Sequence, residues 1–372
     1  MLAKQWYNSI MKKKIMDYFK TSDIKYIYAL AGVVFFASFA LMSWFLYKAF
    51  VLPADDGFVD EDVVKEEITE EDCDYKRKID GTCVESERYT DSELVAVMIE
   101  NNLEAWPLAG LAEASVVYEA PVEGDIPRFM AIYVLGEEVD QVGPVRSARP
   151  YYLDWVSEYG KIMFMHVGGS PDALDLVDEY NLFSINEFYR GWYFWRSEGR
   201  TAPHNTYTST ELWNKSYEKY SEYYDEKDYI GWQFEKIENC ETDCVGEIDI
   251  PIASPSSYHA VWKFNTSTQK YTRFQGGEQA FEMDGKEIFA DTVIVQMADV
   301  EVIDEIGRKE IGVVGSGEAV VFRNGKVFEG VWKKTDRISR TEFFAEDGSA
   351  ISLQAGKIWI EILSTAREAE WE

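Results

Sequence analysis

The stretch KIMFMHVGGSPDALDLVDEY, residues 161–180, joins the pattern of a buried strand to the start of a helix. Its first half is a short apolar run, which predicts a strand, and its second half has apolar residues at helical spacing. The two glycines between them permit a sharp turn, and Ser170 followed by Pro171 is typical of a helix N-cap and first turn. Strands that alternate with helices indicate an α/β domain.

The sequence on both sides extends this pattern. The runs ELVAVMIEN, ASVVYEAPVE and PRFMAIYVLG have strand length, and SARPYYLDWVSEYG and STELWNKSYEKYSEYY have helical spacing. We therefore expect an α/β N-terminal domain over residues 91–245. From residue 251 onward, short apolar runs are separated by Asp-Gly and Asn-Gly pairs, which favour tight hairpins. This texture predicts a mainly β C-terminal domain over residues 250–365.

A membrane anchor is predicted ahead of these domains. Residues 26–47, YIYALAGVVFFASFALMSWFLY, carry no charge and are long enough to cross the hydrocarbon of a bilayer as a helix. Six lysines precede this run and one follows it, so the positive-inside rule places residues 1–25 in the cytoplasm and the later domains outside the cell membrane. Residues 48–90 read as an acidic, extended linker. The alternative, a cleaved signal peptide, lacks a suitable cleavage site.

The four cysteines form two closely spaced pairs, as expected for local disulfides in an oxidising compartment. Cys73 and Cys83 flank one short loop, and Cys240 and Cys244 flank another. The alternative is a four-thiolate zinc site, although these spacings match no common zinc motif. The chain has a formal net charge of -30, which argues against a nucleic-acid partner.

Arginines and histidines in the first domain mark a candidate ligand site. Residues 91–211 contain six arginines and one lysine, and arginine is the better residue for gripping a carboxylate or phosphate with a planar fork. His166 lies just before the two-glycine turn, where open α/β sheets tend to bind ligands. The predicted ligand-binding residues are Arg128, Arg146, Ser147, Arg149, His166, Gly168, Gly169, Ser170, Arg200, His204 and Asn205. The alternative is that His166 is a core residue and that the arginines are buried against acids.

Catalysis is a second possibility for the same region. The candidate acids, bases and proton shuttles are Glu119, Glu123, His166 and His204. In a straight strand, Glu119 and Glu123 would be roughly 13 Å apart, too far for a paired-carboxylate hydrolase unless Pro121 bends the chain. The sequence indicates neither a metal nor a cofactor, because no metal-binding spacing and no dinucleotide fingerprint occurs.

Beyond single motifs, the chain resembles the YerB-like lipoproteins, a two-domain family of bacterial envelopes. The resemblance rests on VMIEN, VVYEAPVEGDIPRFMAIY, GPVRSARPYYLDW, HVGGSP and RTAPHNTYTS in the first domain, and on TVIVQM, GVVGSGEAVVFRNGKVFEGVWKK and AGKIWIEIL in the second. It covers about residues 94–363 and implies a membrane-tethered extracytoplasmic protein. The family brings no established catalytic residues. This chain differs in its anchor, because it has no cysteine near the apolar run to carry a lipid.

Three functions remain open at this point. The first is a binding module for an anionic or carboxylate-bearing envelope ligand in an Arg/His-lined cleft. The second is a hydrolase or lyase acting on cell-wall or surface polymer. The third is a non-catalytic scaffold that holds other envelope proteins, in which the polar residues are structural clamps.

Overall fold

The computed structural model describes residues 73–224, 228–235 and 238–372, together with residues 11, 12, 38 and 42. Apart from these four residues, the predicted cytoplasmic tail and the predicted membrane helix therefore lie outside the described residues, as does most of the acidic linker. No helix among the residues described is long and apolar enough to span a bilayer. The described residues from 73 onward belong to one compact unit.

Helices are few and short, and strands dominate this unit. The α-helices are α1 (Pro150–Val156), α2 (Pro171–Glu179), α3 (Glu187–Arg190) and α4 (Thr210–Tyr220). Single turns of 3-10 helix occur at Glu87–Tyr89, Leu103–Ala105, Glu123–Asp125, Ser157–Tyr159, Gly191–Tyr193, Ser221–Tyr223 and Ser256–Tyr258.

The strands of the N-terminal half are β1 (Tyr75–Lys76), β2 (Cys83–Val84), β3 (Leu94–Glu100), β4 (Val116–Pro121), β5 (Pro127–Val134), β6 (Met163–His166), β7 (Ser184–Asn186), β8 (Trp195–Arg196) and β9 (Thr206–Tyr207). Those of the C-terminal half are β10 (Glu247–Ile250), β11 (Ala260–Asn265), β12 (Lys270–Gln275), β13 (Glu278–Gln279), β14 (Phe289–Ala290), β15 (Thr292–Ala298), β16 (Val300–Val302), β17 (Lys309–Ile311), β18 (Gly315–Arg323), β19 (Lys326–Lys334), β20 (Glu342–Ala345), β21 (Ile358–Ser364) and β22 (Glu370–Trp371).

The predicted strand–turn–helix at residues 161–180 is present as β6 and α2. Ser170 is the N-cap of α2, where its hydroxyl accepts a hydrogen bond from the Ala173 amide at 3.3 Å, and Pro171 occupies the first turn. Gly168 has φ +61, and a Cβ there would lie 2.6 Å from the Phe188 ring. The turn therefore needs glycine at Gly168 for both its conformation and its space.

One large sheet contains strands from both predicted domains. Its ten strands run in the order β20-β19-β18-β15-β21-β4-β5-β3-β6-β7. The joint between the halves is β21, which pairs in parallel with β15 on one side and with β4 on the other. A second sheet, β13-β12-β11-β10-β22 with β14 paired to β12, is antiparallel throughout. The C-terminal half is thus largely β, as expected, but it shares its main sheet with the α/β half.

Both faces of the large sheet are covered at its central strands, which explains why these strands are mostly apolar. Every residue of β3, β4 and β5 is buried. Alternate side chains such as Val97 and Phe129 pack toward the six-stranded sheet, and those between them, such as Met98 and Met130, pack toward α1. The hydrophobic core thus has two parts, one on each face of the large sheet, and successive residues of a strand pack alternately into one and the other.

Both predicted disulfides are confirmed. Cys73 is bonded to Cys83 and Cys240 to Cys244, which accounts for all four cysteines of the chain. The alternative of a four-thiolate zinc site is therefore wrong. Two local disulfides agree with an oxidising compartment.

Candidate functional site

The ends of β3 and β5 carry the polar residues of the candidate site. Arg128 on β5 is directly opposite Glu100 on β3, on the sheet face that α1 covers. The segment 143–149 crosses these strand ends. Its Arg146 amide donates to the Met98 carbonyl at 2.8 Å, and its Pro144 carbonyl accepts from the Glu100 amide at 2.9 Å. Strand ends and a crossing loop thus hold several arginines in one place.

Three arginines meet here with only two carboxylates. Arg146 Nε lies 2.9 Å from Glu100 Oε2, and Arg149 forms two parallel bonds of 2.6 Å to Glu123. Arg128 donates to the Ser147 carbonyl oxygen at 2.8 Å, but it has no carboxylate within 4 Å in the described part of the chain. We call Arg128, Arg146 and Arg149 the arginine cluster.

The positive charges of the arginine cluster act on one another. Burial, followed by the positive charges of Arg149 and Arg146, lowers the pKa of Arg128 to about 10. Burial alone would raise the pKa of Glu123, but the hydrogen bond and charge of Arg149 hold it below its usual value. Arg128 therefore remains charged at neutral pH in surroundings that disfavour its charge.

His204 joins this cluster through Glu100. Its Nδ1 lies 2.7 Å from Glu100 Oε2, the same oxygen that contacts Arg146, and its Nε2 lies 3.4 Å from Glu104 Oε2. The His204 side chain is 13% exposed and that of Arg146 is 21% exposed. Arg146 is thus the most exposed of the three arginines.

His166, by contrast, is a core residue. Its ring is fully buried, stacks on Phe164, and has both nitrogens bound, Nδ1 at 2.7 Å from the Gly168 carbonyl and Nε2 at 2.8 Å from the Ser184 hydroxyl. It does not meet a ligand at the mouth of the turn, because its strand is covered on both faces. The core alternative for this histidine is the one that the structure supports.

We expect the His166 imidazole to stay neutral well below its ordinary titration range. Burial lowers its pKa from 6.5 to about 4. Since the unfolded chain binds this proton more readily, the free energy of unfolding should fall as the pH drops from about 6.5 to about 4. A proton NMR titration of the three histidines, assigned with His204→Gln and His259→Gln variants, measures this directly. A midpoint near 6.5 for His166 would contradict the buried position.

The other predicted residues of the two-glycine turn, Gly168, Gly169 and Ser170, adjoin the crossing segment 143–149 and are not part of the arginine cluster. The Ala148 amide donates to the Gly168 carbonyl at 3.0 Å, and the Ser170 amide donates to the Ala148 carbonyl at 3.3 Å. The Ser147 carbonyl points the other way, to Arg128. Gly168, Gly169 and Ser170 therefore position the segment that carries Arg146 and Arg149, and Ser147 is the residue of this segment that contacts the cluster.

Arg200 and Asn205 serve the local structure of their loop. Arg200 donates to the carbonyl oxygens of Ala105 and Pro107, the latter at 2.6 Å. Asn205 accepts from Arg196 at 3.1 Å and donates to the Ser197 carbonyl at 3.4 Å. The partners of both side chains lie outside the arginine cluster, so the structure does not bring Arg200 and Asn205 together with the other predicted ligand-binding residues.

Glu119 lies on the opposite face of the sheet from Arg128 and is sealed from water. Arg273 lies between it and Glu361, with Nη2 2.7 Å from Glu119 Oε2 and Nη1 3.0 Å from Glu361 Oε1. All three side chains are fully buried. Glu119 and Glu123 therefore do not form a catalytic pair. Sequence reasoning missed Arg273 and Glu361, although an acid within the apolar run KIWIEIL was a signal of a buried ion pair.

One group of acids has the spacing of a cation site among the described residues. The carboxylates of Glu113, Glu282 and Asp284 approach within 4.8 Å of one another. Burial raises the pKa of Glu282 to about 7. However, the Lys286 ammonium already binds both Glu113 and Asp284, so an internal cation neutralises this group. We assign no metal to it.

Comparisons with known proteins match both halves of the chain. Residues 81–226 match the N-terminal domain, and residues 248–360 the C-terminal domain, of a family described as "Protein of unknown function (DUF3048)". The chain is 29% identical over 281 residues to the "Putative lipoprotein YerB" of Bacillus subtilis (strain 168), covering 74% of this chain and 83% of that protein. It is also similar to the crystal structure of the YerB protein from Bacillus subtilis, with a TM-score of 0.70 and 27% identity, covering 80% of this chain and 99% of that one.

Proposed function

Because the chain belongs to the YerB-like family, with its two DUF3048 domains in order, we propose that it binds an anionic or carboxylate-bearing ligand of the cell envelope at the arginine cluster. The first domain supplies all three arginines. The C-terminal half contributes β15, β18, β19, β20 and β21 to the sheet in which Arg128 lies.

The observation that carries this proposal is that no carboxylate of the described residues lies within 4 Å of the Arg128 guanidinium. Arg128 is 6% exposed, its charge is opposed by two other arginines, and its hydrogen bond within the described part of the chain goes to a carbonyl oxygen. Such a residue is unfavourable to retain for stability alone. A bound carboxylate or phosphate would supply the missing negative charge. Perturbed charged groups of this kind occur preferentially at functional sites.

The chemistry of the cluster suits a small planar or tetrahedral anion. An arginine fork presents parallel N–H donors that match two oxygens of a carboxylate or phosphate. Glu123 already binds Arg149 in this way, at two distances of 2.6 Å, and shows the geometry that a ligand carboxylate would repeat at Arg128. Glu100 and His204 orient Arg146 at the surface side of the cluster. The ligand would therefore enter beside Arg146 and bind Arg128 at its inner end.

The location that we propose follows from the relatives and the sequence together. The matched relative is named a lipoprotein, which fits an envelope protein held at a membrane. In this chain, the uncharged residues 26–47 would serve as the anchor, with residues 1–25 in the cytoplasm and the disulfide-bonded unit outside. The proposed ligand would then be a component of the envelope.

Thermal unfolding of the full-length chain, embedded in neutral-lipid nanodiscs, tests the proposal. A ligand that binds only the folded state raises the melting temperature. We expect trigalacturonate, inorganic phosphate or both to raise it, and neutral maltotriose to have no effect. A response to trigalacturonate alone would identify carboxylate, and a response to phosphate alone would identify phosphate, as the group recognised.

Matched variants show where the anion binds. The Arg146→Gln/Arg149→Gln protein should lose the rise in melting temperature. The Arg190→Gln/Arg196→Gln protein, which loses the same charge elsewhere in the first domain, should keep it. An equal response of both double variants, or no response of the unchanged chain to any anion, would refute the proposal.

A further inference from the structure

An open groove of about 520 Å³ lies on the large sheet, at the end of the strand order away from β3 and β5. Its floor consists of side chains from three adjacent strands, Val320 on β18, Val331 on β19 and Phe344 on β20. Trp371 on β22 forms one wall. Three strands of the sheet, β15, β21 and β4, lie between this floor and β5, which carries Arg128, so the groove is a separate feature from the arginine cluster.

The groove exists because the second sheet covers only part of the first. The six-stranded sheet ends at β22, where Trp371 packs edge-to-face on Phe322 with 5.5 Å between ring centroids. Further from the second sheet, three apolar side chains lie on the same face of the large sheet but are only half-buried: Val320, Val331 and Phe344. An apolar surface is thus left open where the covering layer stops.

Carboxylates surround this apolar floor. Glu318, Glu329, Glu346 and Glu368 line the groove and are exposed, and none of them forms an ion pair with a cation of the described residues. Lys333 also lines the groove, but its ammonium lies over the Phe344 ring, 4.8 Å from the centroid. The rim therefore has an excess of negative charge that the described chain does not neutralise.

Strand register brings two of these carboxylates together. Gly330 on β19 is opposite Ala345 on β20, so Glu346, one residue further along, comes beside Glu329. Like charges that face each other across strands destabilise a sheet. In the neighbouring row, Glu318 faces Val331, and Val331 faces Phe344. On this face, apolar and acidic groups thus alternate along each of the three strands.

We propose that this groove binds a short cationic peptide segment of a partner protein. The floor spans two strand spacings, roughly 10 Å, across the sheet and two side-chain repeats, roughly 13 Å, along β19. The longer dimension matches the length of about four residues of extended chain. Apolar side chains of the segment would cover Val331 and Phe344. Lysine or arginine side chains at its ends would reach the four carboxylates. The apolar floor distinguishes such a segment from a metal ion or a polyamine, which would use only the rim.

Isothermal titration calorimetry with the full-length chain in phosphatidylcholine nanodiscs tests this inference. The probe is the acetylated, amidated peptide Lys-Phe-Val-Phe-Lys. The controls are Glu-Phe-Val-Phe-Glu, which has the same apolar centre, and spermidine, which has charge without apolar surface. We expect saturable binding of the lysine peptide and none of the glutamate peptide. We expect about tenfold weaker binding when Glu318, Glu329, Glu346 and Glu368 are all changed to Gln.

A second set of substitutions separates the groove from the general negative charge of the chain. Changing Glu179, Glu218, Glu222 and Glu241 to Gln removes the same charge from other exposed positions, and binding should then stay within about twofold of the unchanged chain. Equal loss in both quadruple variants, spermidine binding as tight as peptide binding, or no saturable binding of the lysine peptide would overturn the inference. None of these results depends on the arginine cluster.

Discussion

Replacing Arg273 with Met is expected to lower the free energy of unfolding by about 3–5 kcal/mol, because it leaves two carboxyl groups without their shared cation in a dry core. Arg273 contacts Glu119 and Glu361, and its guanidinium lies within 5.5 Å of the ring centroids of Phe129, Trp262 and Trp359. Chemical denaturation of the full-length chain in nanodiscs measures the loss.

The loss should be greater at pH 8 than at pH 5. Burial raises the pKa of Glu119 well above its usual value, the charge of Arg273 opposes this rise, and the charge of Glu361 adds to it. A raised folded-state pKa gives stability that is present at low pH and is lost as the pH rises. Without Arg273, the Glu119 carboxyl loses the positive charge that opposes the rise of its pKa, so raising the pH costs the folded protein more.

The control for this prediction removes the carboxylates together with the arginine. The variant Glu119→Gln/Arg273→Met/Glu361→Gln has no buried charge at this position and should recover most of the lost stability. If Arg273→Met alone costs less than about 1 kcal/mol, or if the triple variant is no more stable than the single one, the three groups do not act as a buried ionic clamp.

Replacing Arg128 with Met is expected to have the opposite effect and to stabilise the unliganded chain by about 1–2 kcal/mol. Arg128 is charged at neutral pH, since its pKa is about 10, so the unfavourable burial and the repulsion from Arg146 and Arg149 are fully present there. Met retains most of the buried side-chain volume. Residues kept for binding at the expense of stability give this behaviour.

A matched control for this variant is Arg323→Met. Arg323 is as buried as Arg128, but it forms an ion pair with Glu235 at 3.0 Å and a hydrogen bond to Ser352 at 3.1 Å. Its removal should therefore lower stability rather than raise it. A loss of stability at Arg128 similar to the loss at Arg323 would mean that Arg128 is an ordinary structural arginine.

The order of strands and helices could be predicted from sequence because it depends on local patterns. The buried strand, the two-glycine turn and the capped helix of residues 161–180 are all present as β6 and α2. The sharing of one sheet could not be predicted, because β21 pairs with β4 across more than 200 residues of chain. Hydrophobic periodicity reports which strands are buried but not which strands are neighbours.

The candidate site could be predicted only in part, because sequence shows residue types but not the partners that distant elements supply. The residue types of GPVRSARP identified Arg146 and Arg149, and the structure brings Arg128 to them. His166 and Glu119 have the same appearance in sequence as exposed functional residues, yet each is fully buried with partners from distant elements. A polar residue in an apolar run fits both a site and a satisfied core position, and only the partners decide between them.

The measurement that tests the arginine cluster most directly is the affinity of the responding anion for the unchanged chain and for Arg128→Met, by isothermal titration calorimetry at one low salt concentration. Losing charge-assisted hydrogen bonds to the anion should weaken binding by about 10- to 100-fold, in a protein that is more stable than the unchanged chain. Equal affinity in the two proteins would contradict the account, because the anion would then bind without Arg128.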